Sequence, residues 1–324
     1  MKVGVIGVGY LGKYHAQKYS ALEGVELVGV ADIDSVLVET IAKENNCKSF
    51  TDYRKLLQQI DAVSVVVPTS QHHKVALDCI EAGVDMLMEK PITTTVEEAD
   101  DIIGRAKEKK LILQVGHLER FNPAVEAMIP SLTVPVFIES QRISTFKNRG
   151  VDVDVVLDLM IHDIDIILNI IKSPLETIHT VGAPVVTDFT DIANARLIFE
   201  NGATANVTVS RISRTNTRRM RIFQPGSFIN VDFANRKVMT IHLKKGEFQV
   251  NGMPKQDVVV RSFPEGDALN AEIFHFVENV RNRTIPLVSG NEGRRALNVA
   301  LQVIEQIKDH QKLGVYAEDM SGNS

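Results

Sequence analysis

Tryptophan is absent from this chain, and only 6% of its 324 residues are aromatic. Recognition of polynucleotides or glycans by ring stacking therefore has few residues to draw on. Cysteine occurs twice, at Cys47 and Cys79, which excludes a disulfide framework and suits a reducing, cytoplasmic setting. Long apolar runs are missing as well. The uncharged apolar stretches, such as 63–68, are strand-sized and fall far short of the roughly 18 residues of a membrane helix, so no membrane partner is expected. Positive charge is not in excess: 36 Lys and Arg face 41 Asp and Glu, a net charge of −5, which argues against a nucleic-acid partner. What is present is an ordinary globular composition, 44% hydrophobic with mixed charge, too apolar for a disordered chain. At roughly 100–150 residues per domain, two domains are expected. Met1-Lys2 leads directly into Val3-Gly4-Val5-Ile6, so no targeting segment is expected ahead of the fold.

Two kinds of patterning meet near residue 118, and the expected domains are 1–118, for cofactor binding, and 119–324, for substrate binding and oligomerisation, with the last helices expected near the domain junction. In the first, apolar runs at 3–6, 25–31, 62–67, 84–88 and 111–115 alternate with helical patterns at 13–22, 35–43, 52–59, 70–82 and 96–109. Strands that are apolar throughout and separated by helices predict an α/β domain with a parallel sheet covered on both faces. Ser35 is the expected cap of its helix, and Gly83 the expected stop of another. In the second, helical segments at about 122–130 and 155–171 precede alternating runs at 195–200, 203–212, 220–223, 228–233 and 238–243. These predict antiparallel strands with short turns, Asn201-Gly202 marking a hairpin. Helices return at about 268–282 and 291–309.

Gly7-Val8-Gly9-Tyr10-Leu11-Gly12 follows the first strand and opens the first helix, and Asp32 lies 20 residues beyond Gly12. That context makes GxGxxG a dinucleotide fingerprint. Gly7 permits the turn, Gly9 the approach of a pyrophosphate, and Gly12 close packing of helix on strand. The helix N-terminus offers its N–H groups to the phosphates. Asp32 suits the adenosine ribose hydroxyls, and no Lys or Arg follows before Lys43. A 2′-phosphate would meet Asp32 and Asp34 without a cation, so the expected cofactor is NAD rather than NADP. Pro68, Thr69 and His72 follow the 62–67 strand and Glu89 ends the 84–88 strand. With Gly7, Gly9, Tyr10, Leu11, Gly12, Asp32 and Lys90 they complete the expected cofactor-binding set.

Two further segments carry chemistry. Glu89-Lys90-Pro91 lies at a strand's carboxyl end, the edge that faces the ligand crevice in an open α/β sheet. Lys90 there can steady a substrate oxygen, or be a solvated loop lysine. A cis peptide before Pro91 is expected to aim it. The segment 156–168 is apolar almost all round, yet places Asp158, His162 and Asp165 on one helical stripe. An Asp one turn before a His makes His162 a competent general base; a structural His–Asp network is the other reading. A metal face lacks third and fourth ligands, so no metal is expected. Arg211, Arg214, Arg218, Arg219 and Arg221 crowd two strands and read as a solvated or oligomer-facing surface.

These residues resemble a known family. Val5-Ile6-Gly7-Val8-Gly9-Tyr10-Leu11-Gly12, Glu89-Lys90-Pro91, Arg120-Phe121-Asn122-Pro123, Asp158…His162…Asp165 and the turn 286–293 are together similar to the glucose-fructose oxidoreductase, inositol dehydrogenase and rhizopine-catabolism (Gfo/Idh/MocA) superfamily. The resemblance covers nearly the whole chain. It implies an N-terminal Rossmann domain and a C-terminal α+β domain with a large, open, mainly antiparallel sheet used for homodimers or homotetramers. It places the catalytic lysine on Lys90 and the aspartate–histidine pair on Asp158 and His162. Met160 departs from the glycine that many members carry between that pair.

Three functions are weighed. The first is an NAD-dependent dehydrogenase acting on a secondary hydroxyl of a sugar or nucleotide sugar. Segments 116–123 and 146–168 resemble members acting on UDP-N-acetylglucosamine, which implies the 3-hydroxyl of a UDP-amino sugar, with Arg120, Asn122, Lys147 and Arg149 as substrate-binding candidates. The second is a polyol or cyclitol dehydrogenase, and the third a non-catalytic NAD(H)-binding redox sensor. Intact Lys90, Asp158 and His162 favour an enzyme.

Overall fold

The computed structural model describes residues 1–146 and 153–312, and within them the chain forms two compact units. One comprises Met1–Phe121 with Asp267–Leu297, the other Asn122–Gly266 with the chain from Asn298 onward.

The first unit opens with β1 (Lys2–Ile6), α1 (Gly12–Ala21), β2 (Glu26–Ala31), α2 (Ser35–Glu44), β3 (Lys48–Phe50) and α3 (Tyr53–Leu57). It continues with β4 (Ala62–Val65), α4 (His72–Ala82), β5 (Asp85–Glu89), α5 (Val96–Glu108) and β6 (Leu113–Gly116). The six strands are all parallel, in the order β3-β2-β1-β4-β5-β6. The order reverses between β1 and β4, which is where an open sheet of this kind binds ligands, outside the carboxyl ends of its strands. Val3, Val5, Val30, Ala62 and Leu87 are buried in one core with α1 residues Ala16 and Tyr19, as the unbroken apolar strands predict. Asp34, not Ser35, caps α2: its carboxylate accepts from the N–H groups of Val36 and Leu37. One carboxylate oxygen, placed one residue earlier, accepts from both donors.

The second unit contains α6 (Pro123–Met128), β7 (Phe137–Thr145), a π-helical turn over Val156–Met160, and α7 (Ile161–Ile170). After them come β8 (Leu175–Ala183), β9 (Ile192–Phe199), β10 (Thr204–Ser213), β11 (Thr217–Gln224), β12 (Ser227–Asp232), β13 (Lys237–Phe248) and β14 (Pro254–Ser262). These eight strands form one sheet, β14-β13-β12-β11-β7-β10-β9-β8, antiparallel except for the β7–β10 pair. α7 packs on β7 and β10, and Ile164, Ile167, Ile138, Val207, Met220 and Ile222 are buried. Gly202 turns the β9–β10 hairpin at φ +82°.

Finally, α8 (Ala268–Asn282) and α9 (Gly290–His310) follow the second sheet. Ile273, Phe276, Val277 and Val280 of α8 join the core of the first unit, which explains why the chain returns to it. Among the described residues no helix is long and apolar enough to cross a membrane.

Candidate active site

The loop between β1 and α1 is shaped by what its glycines avoid. Gly7 has φ +85°, and a Cβ there would lie 2.5 Å from the Val66 carbonyl oxygen. A Cβ on Gly12 would lie 1.8 Å from the Gly7 oxygen, so loop and helix touch backbone to backbone. Gly9 is the opposite: no atom lies within 4 Å of its Cβ position, which leaves an open face over the loop. Leu11 gives α1 no side-chain cap, and its first turn carries no acid. An open glycine face beside an uncapped helix N-terminus fits a pyrophosphate. Tyr10 is exposed, with the Lys13 ammonium 5.7 Å from its ring centre.

Asp32 stands beyond the end of β2. Its Oδ2 accepts from the Val8 N–H at 2.8 Å and its Oδ1 from the Asp34 N–H at 3.1 Å. The carboxylate is thus fixed to the glycine-rich loop, and its remaining lone pairs suit ribose hydroxyls. Ile33 is 96% exposed. The residues fit NAD: the loop for the pyrophosphate, Asp32 for the adenosine ribose, and no basic side chain between residues 32 and 43 for a 2′-phosphate.

At the carboxyl end of β5 the Lys90–Pro91 peptide is cis, as expected. His72 belongs to the expected cofactor set by position alone. Its ring is buried, with Nδ1 2.9 Å from the Pro91 oxygen and Nε2 2.9 Å from the Val67 oxygen. Burial pulls its pKa down against those carbonyls. His72 therefore lies between the Lys90–Pro91 turn and the segment after β4 with a backbone carbonyl against each ring nitrogen, while the exposed Pro68 and the half-buried Thr69 line the same sheet edge. Glu89 turns inward: its Oε1 is 3.2 Å from His15 Nε2, and its Oε2 accepts from the Lys90 N–H at 3.3 Å.

In the second unit, Asp158 lies in the π-helical turn and His162 in the first turn of α7. π-turns are rare and recur at functional sites. Both residues are partly accessible, whereas Asp165 is 3% exposed. Met160, the departure from glycine, is fully buried and so packs into the core. The helix is anchored by a neighbour that the stripe did not single out. Asp163 accepts from Arg142 Nε at 2.8 Å and Nη2 at 3.2 Å, and from Ser140 Oγ at 2.9 Å. No sequence signal marks Arg142, because it stands in a strand whose inward face also carries Ser140.

The remaining candidates separate. Arg120 is buried in the first unit. Asn122 caps α6 through the Ala124 N–H and donates to the Phe233 oxygen, so its amide is engaged by backbone. Lys147 and Arg149 lie outside the described residues. Arg211 is not a surface residue: it is 5% exposed, donates to the Thr190 and Val153 oxygens, and faces Asp191 at 3.6 Å. It holds Val153, just ahead of the π-turn. Arg219 and Arg221 do face outward on the sheet, bonded to Asn230 and Glu139.

Comparison with known proteins agrees with this geometry. Residues 1–117 match the family described as "Oxidoreductase family, NAD-binding Rossmann fold", and residues 138–225 match the "GFO/IDH/MocA C-terminal domain". A UDP-N-acetylglucosamine 3-dehydrogenase from Acidithiobacillus ferrooxidans is 40% identical over 94% of this chain and 96% of its own length. A solved structure of a dehydrogenase of that name from the same organism superposes with a TM-score of 0.90 at 39% identity, covering 95% of this chain and 98% of the other. A scyllo-inositol 2-dehydrogenase (NAD(+)) from Bacillus subtilis is 27% identical over 95% of this chain and 94% of its own. With a fingerprint loop, an adjoining carboxylate and a sheet that fit NAD, and a relative of this closeness along nearly its whole length, the chain belongs to the GFO/IDH/MocA family of NAD-binding oxidoreductases and is an NAD-dependent dehydrogenase.

Proposed function

We propose that this dehydrogenase oxidises the 3-hydroxyl of a UDP-linked amino sugar, UDP-N-acetylglucosamine being the type substrate. The observation that carries the reading is the 40% identity, over 94% of the chain, to a dehydrogenase of that name. The Gly7–Gly12 loop and Asp32 would hold NAD, which would supply the hydride acceptor for the carbon that becomes the ketone. His162 takes the hydroxyl proton, and Asp158, one turn earlier, orients the imidazole and favours its protonated form. Lys90 steadies the substrate oxygen as the proton leaves. A diphosphate-linked substrate needs cations; Lys147 and Arg149 are the proposed ones. The test is a substrate panel with NAD, followed by the near-ultraviolet absorbance of the reduced cofactor. UDP-N-acetylglucosamine is expected to give reduction, and free N-acetylglucosamine and myo-inositol none. Turnover of the uncharged sugars with no response to the UDP-sugar would move the protein to the cyclitol branch, which the scyllo-inositol relative represents.

The open face of the second sheet is proposed as the assembly surface of a homodimer or homotetramer. Phe137, Phe223 and Phe228 stack across β7, β11 and β12 at 5.8 and 5.2 Å, and Glu139, Gln141, Arg219 and Arg221 line a polar hollow beside them. Val258 and Val260 on β14 are each half exposed. An aromatic row beside an arginine–carboxylate patch is the composition of an interface core and rim. Light scattering at micromolar concentration is expected to give at least twice the chain mass, and Phe223→Lys is expected to lower it to that of one chain. A single-chain mass for the unaltered protein would refute the assignment.

A further inference from the structure

Beneath the Glu89–Lys90 turn, the first unit buries a run of polar side chains that the roles above leave unused. The Tyr19 hydroxyl lies 2.8 Å from Ser64 Oγ, and Ser64 Oγ lies 3.1 Å from His15 Nδ1. His15 Nε2 lies 3.2 Å from Glu89 Oε1. One polarity satisfies every member: Tyr19 donates to Ser64, Ser64 to Nδ1, and the Nε2–H to Glu89. The place for the Glu89 carboxylate is built. Gly116 pairs with Glu89 across β6 and β5, and a Cβ on Gly116 would lie 3.0–3.1 Å from the carboxyl atoms.

Glu272, on α8, completes the cluster. It has no exposure, and neither of its carboxyl oxygens has a hydrogen-bond partner among the described residues. Glu89 from β5 and Tyr19 from α1 lie within electrostatic reach of it, and both are joined to His15 of α1 and Ser64 of β4 by the hydrogen bonds above. Gln114 of β6 donates to the Glu272 backbone oxygen at 3.1 Å, and His275, on α8 itself, lies 3.2 Å from Gln114 Oε1. Arg120, in the turn packed on α8, is buried too but makes no hydrogen bond to the Glu272 carboxyl group. A carboxylate taken from water without a single donor loses its solvation with no return, and that costs far more than burying the neutral acid. Burial and the charge of Glu89 both push Glu272 well above the ordinary carboxyl range, and burial raises Tyr19 as well.

We propose that Glu272 is held as an uncharged carboxylic acid behind the Glu89–Lys90 turn and acts as a positioning residue for Lys90. With Glu272 neutral, Glu89 carries the negative charge of the cluster and keeps its hold on both His15 and the Lys90 peptide. An ionised Glu272 would repel the Glu89 carboxylate from that seat. The inference rests on the reading of Lys90 as the group that steadies the substrate oxygen.

The sign of the pH dependence gives the test. Between the ordinary carboxyl pKa and the raised one, the unfolded chain has released the proton and the folded chain keeps it. Stability therefore falls as pH rises through that window. Glu272→Gln has no proton to release. In urea unfolding at a series of pH values, the unfolding constant of the unaltered protein is expected to grow relative to that of Glu272→Gln by about tenfold per pH unit above the carboxyl range. The infrared spectrum at neutral pH is expected to show a protonated-carboxyl stretch that Glu272→Gln removes. In kinetics, kcat of the unaltered protein is expected to fall by about tenfold per pH unit once Glu272 ionises, with NAD affinity kept, and Glu272→Gln to remove that fall. On a Lys90→Ala background, Glu272→Gln is expected to change nothing in that profile. A missing band, together with a Gln variant that is less stable at neutral pH, would show an ionised anchor and overturn the proposal. So would a kcat that falls alike with pH in the unaltered protein and in Glu272→Gln. Full turnover by Lys90→Ala would instead overturn the role of Lys90, and the infrared and unfolding results would still report the state of Glu272.

Discussion

His162→Ala is expected to lower kcat by roughly 10²–10⁴-fold, the usual contribution of a positioned general base, while NAD affinity stays close to that of the unaltered protein. The separation of the two effects follows from where the residues sit. The glycine loop, Asp32 and the Lys90 turn belong to the unit formed by 1–121 and 267–297, whereas His162 belongs to the other. Removing an imidazole from the first turn of α7 leaves the cofactor cradle as it was. Steady-state kinetics with UDP-N-acetylglucosamine, and calorimetry with NAD, read the two quantities independently. The loss is expected to be largest below the pH at which solvent hydroxide competes as a base. Near-normal turnover would return His162 to a structural His–Asp network, and a parallel loss of NAD affinity would mean that the variant disturbs more than the proton transfer.

The sequence was most legible where burial is simple. The parallel strands of the first unit are apolar from end to end, and the glycine spacing is dictated by contacts as close as 1.8 Å; both could be read directly. Four strands could not. β3 is three residues, Lys48-Ser49-Phe50, too short to show a pattern. β7 points Ser140 and Arg142 into the core beside Ile138, so its inward face is not apolar and the alternation is lost. β8 is an edge strand with mixed exposure. β14 is an edge with almost every residue exposed, and nothing distinguishes its two faces.

The site was legible to a similar degree and for similar reasons. Residues proposed to meet a ligand carry motifs: the glycines, Asp32, Lys90 and the Asp158–His162 spacing. Residues that hold those in place carry none, because their partners are distant in sequence. His15 reaches Glu89, Arg142 reaches Asp163, and Arg211 reaches Val153 only after folding. His72 shows the converse case. Its position beside the sheet edge suggested a cofactor contact, but its ring is engaged by the Val67 and Pro91 carbonyls. The return of 267–297 to the first unit was hidden too, since α8 is an ordinary amphipathic helix and nothing in its pattern says which core it covers.

Arg142→Met is expected to cost about 3–5 kcal/mol of stability, the usual penalty for leaving half of a buried ion pair behind. The pair is almost completely enclosed, its side chains 4% and 1% exposed. Asp163 would keep one donor, the Ser140 hydroxyl, where it now has three hydrogen bonds. The guanidinium also covers the Phe233 ring at 5.4 Å, and methionine retains most of that contact. Arg142→Met combined with Asp163→Leu removes both charges, so most of the stability is expected to return, because well-packed apolar replacements of a buried pair are often neutral or better. Urea midpoints for the three variants measure this. Activity is expected to follow a different course. Asp163 adjoins His162, and its bidentate grip on a strand residue fixes the rotation of α7 about its own axis, which hydrophobic packing specifies less sharply. The double variant is therefore expected to recover its midpoint but not its kcat, with KM little changed. Recovery of both would show that packing alone orients the helix. Failure to recover the midpoint would show that the pair, rather than the desolvated half-pair, holds the stability.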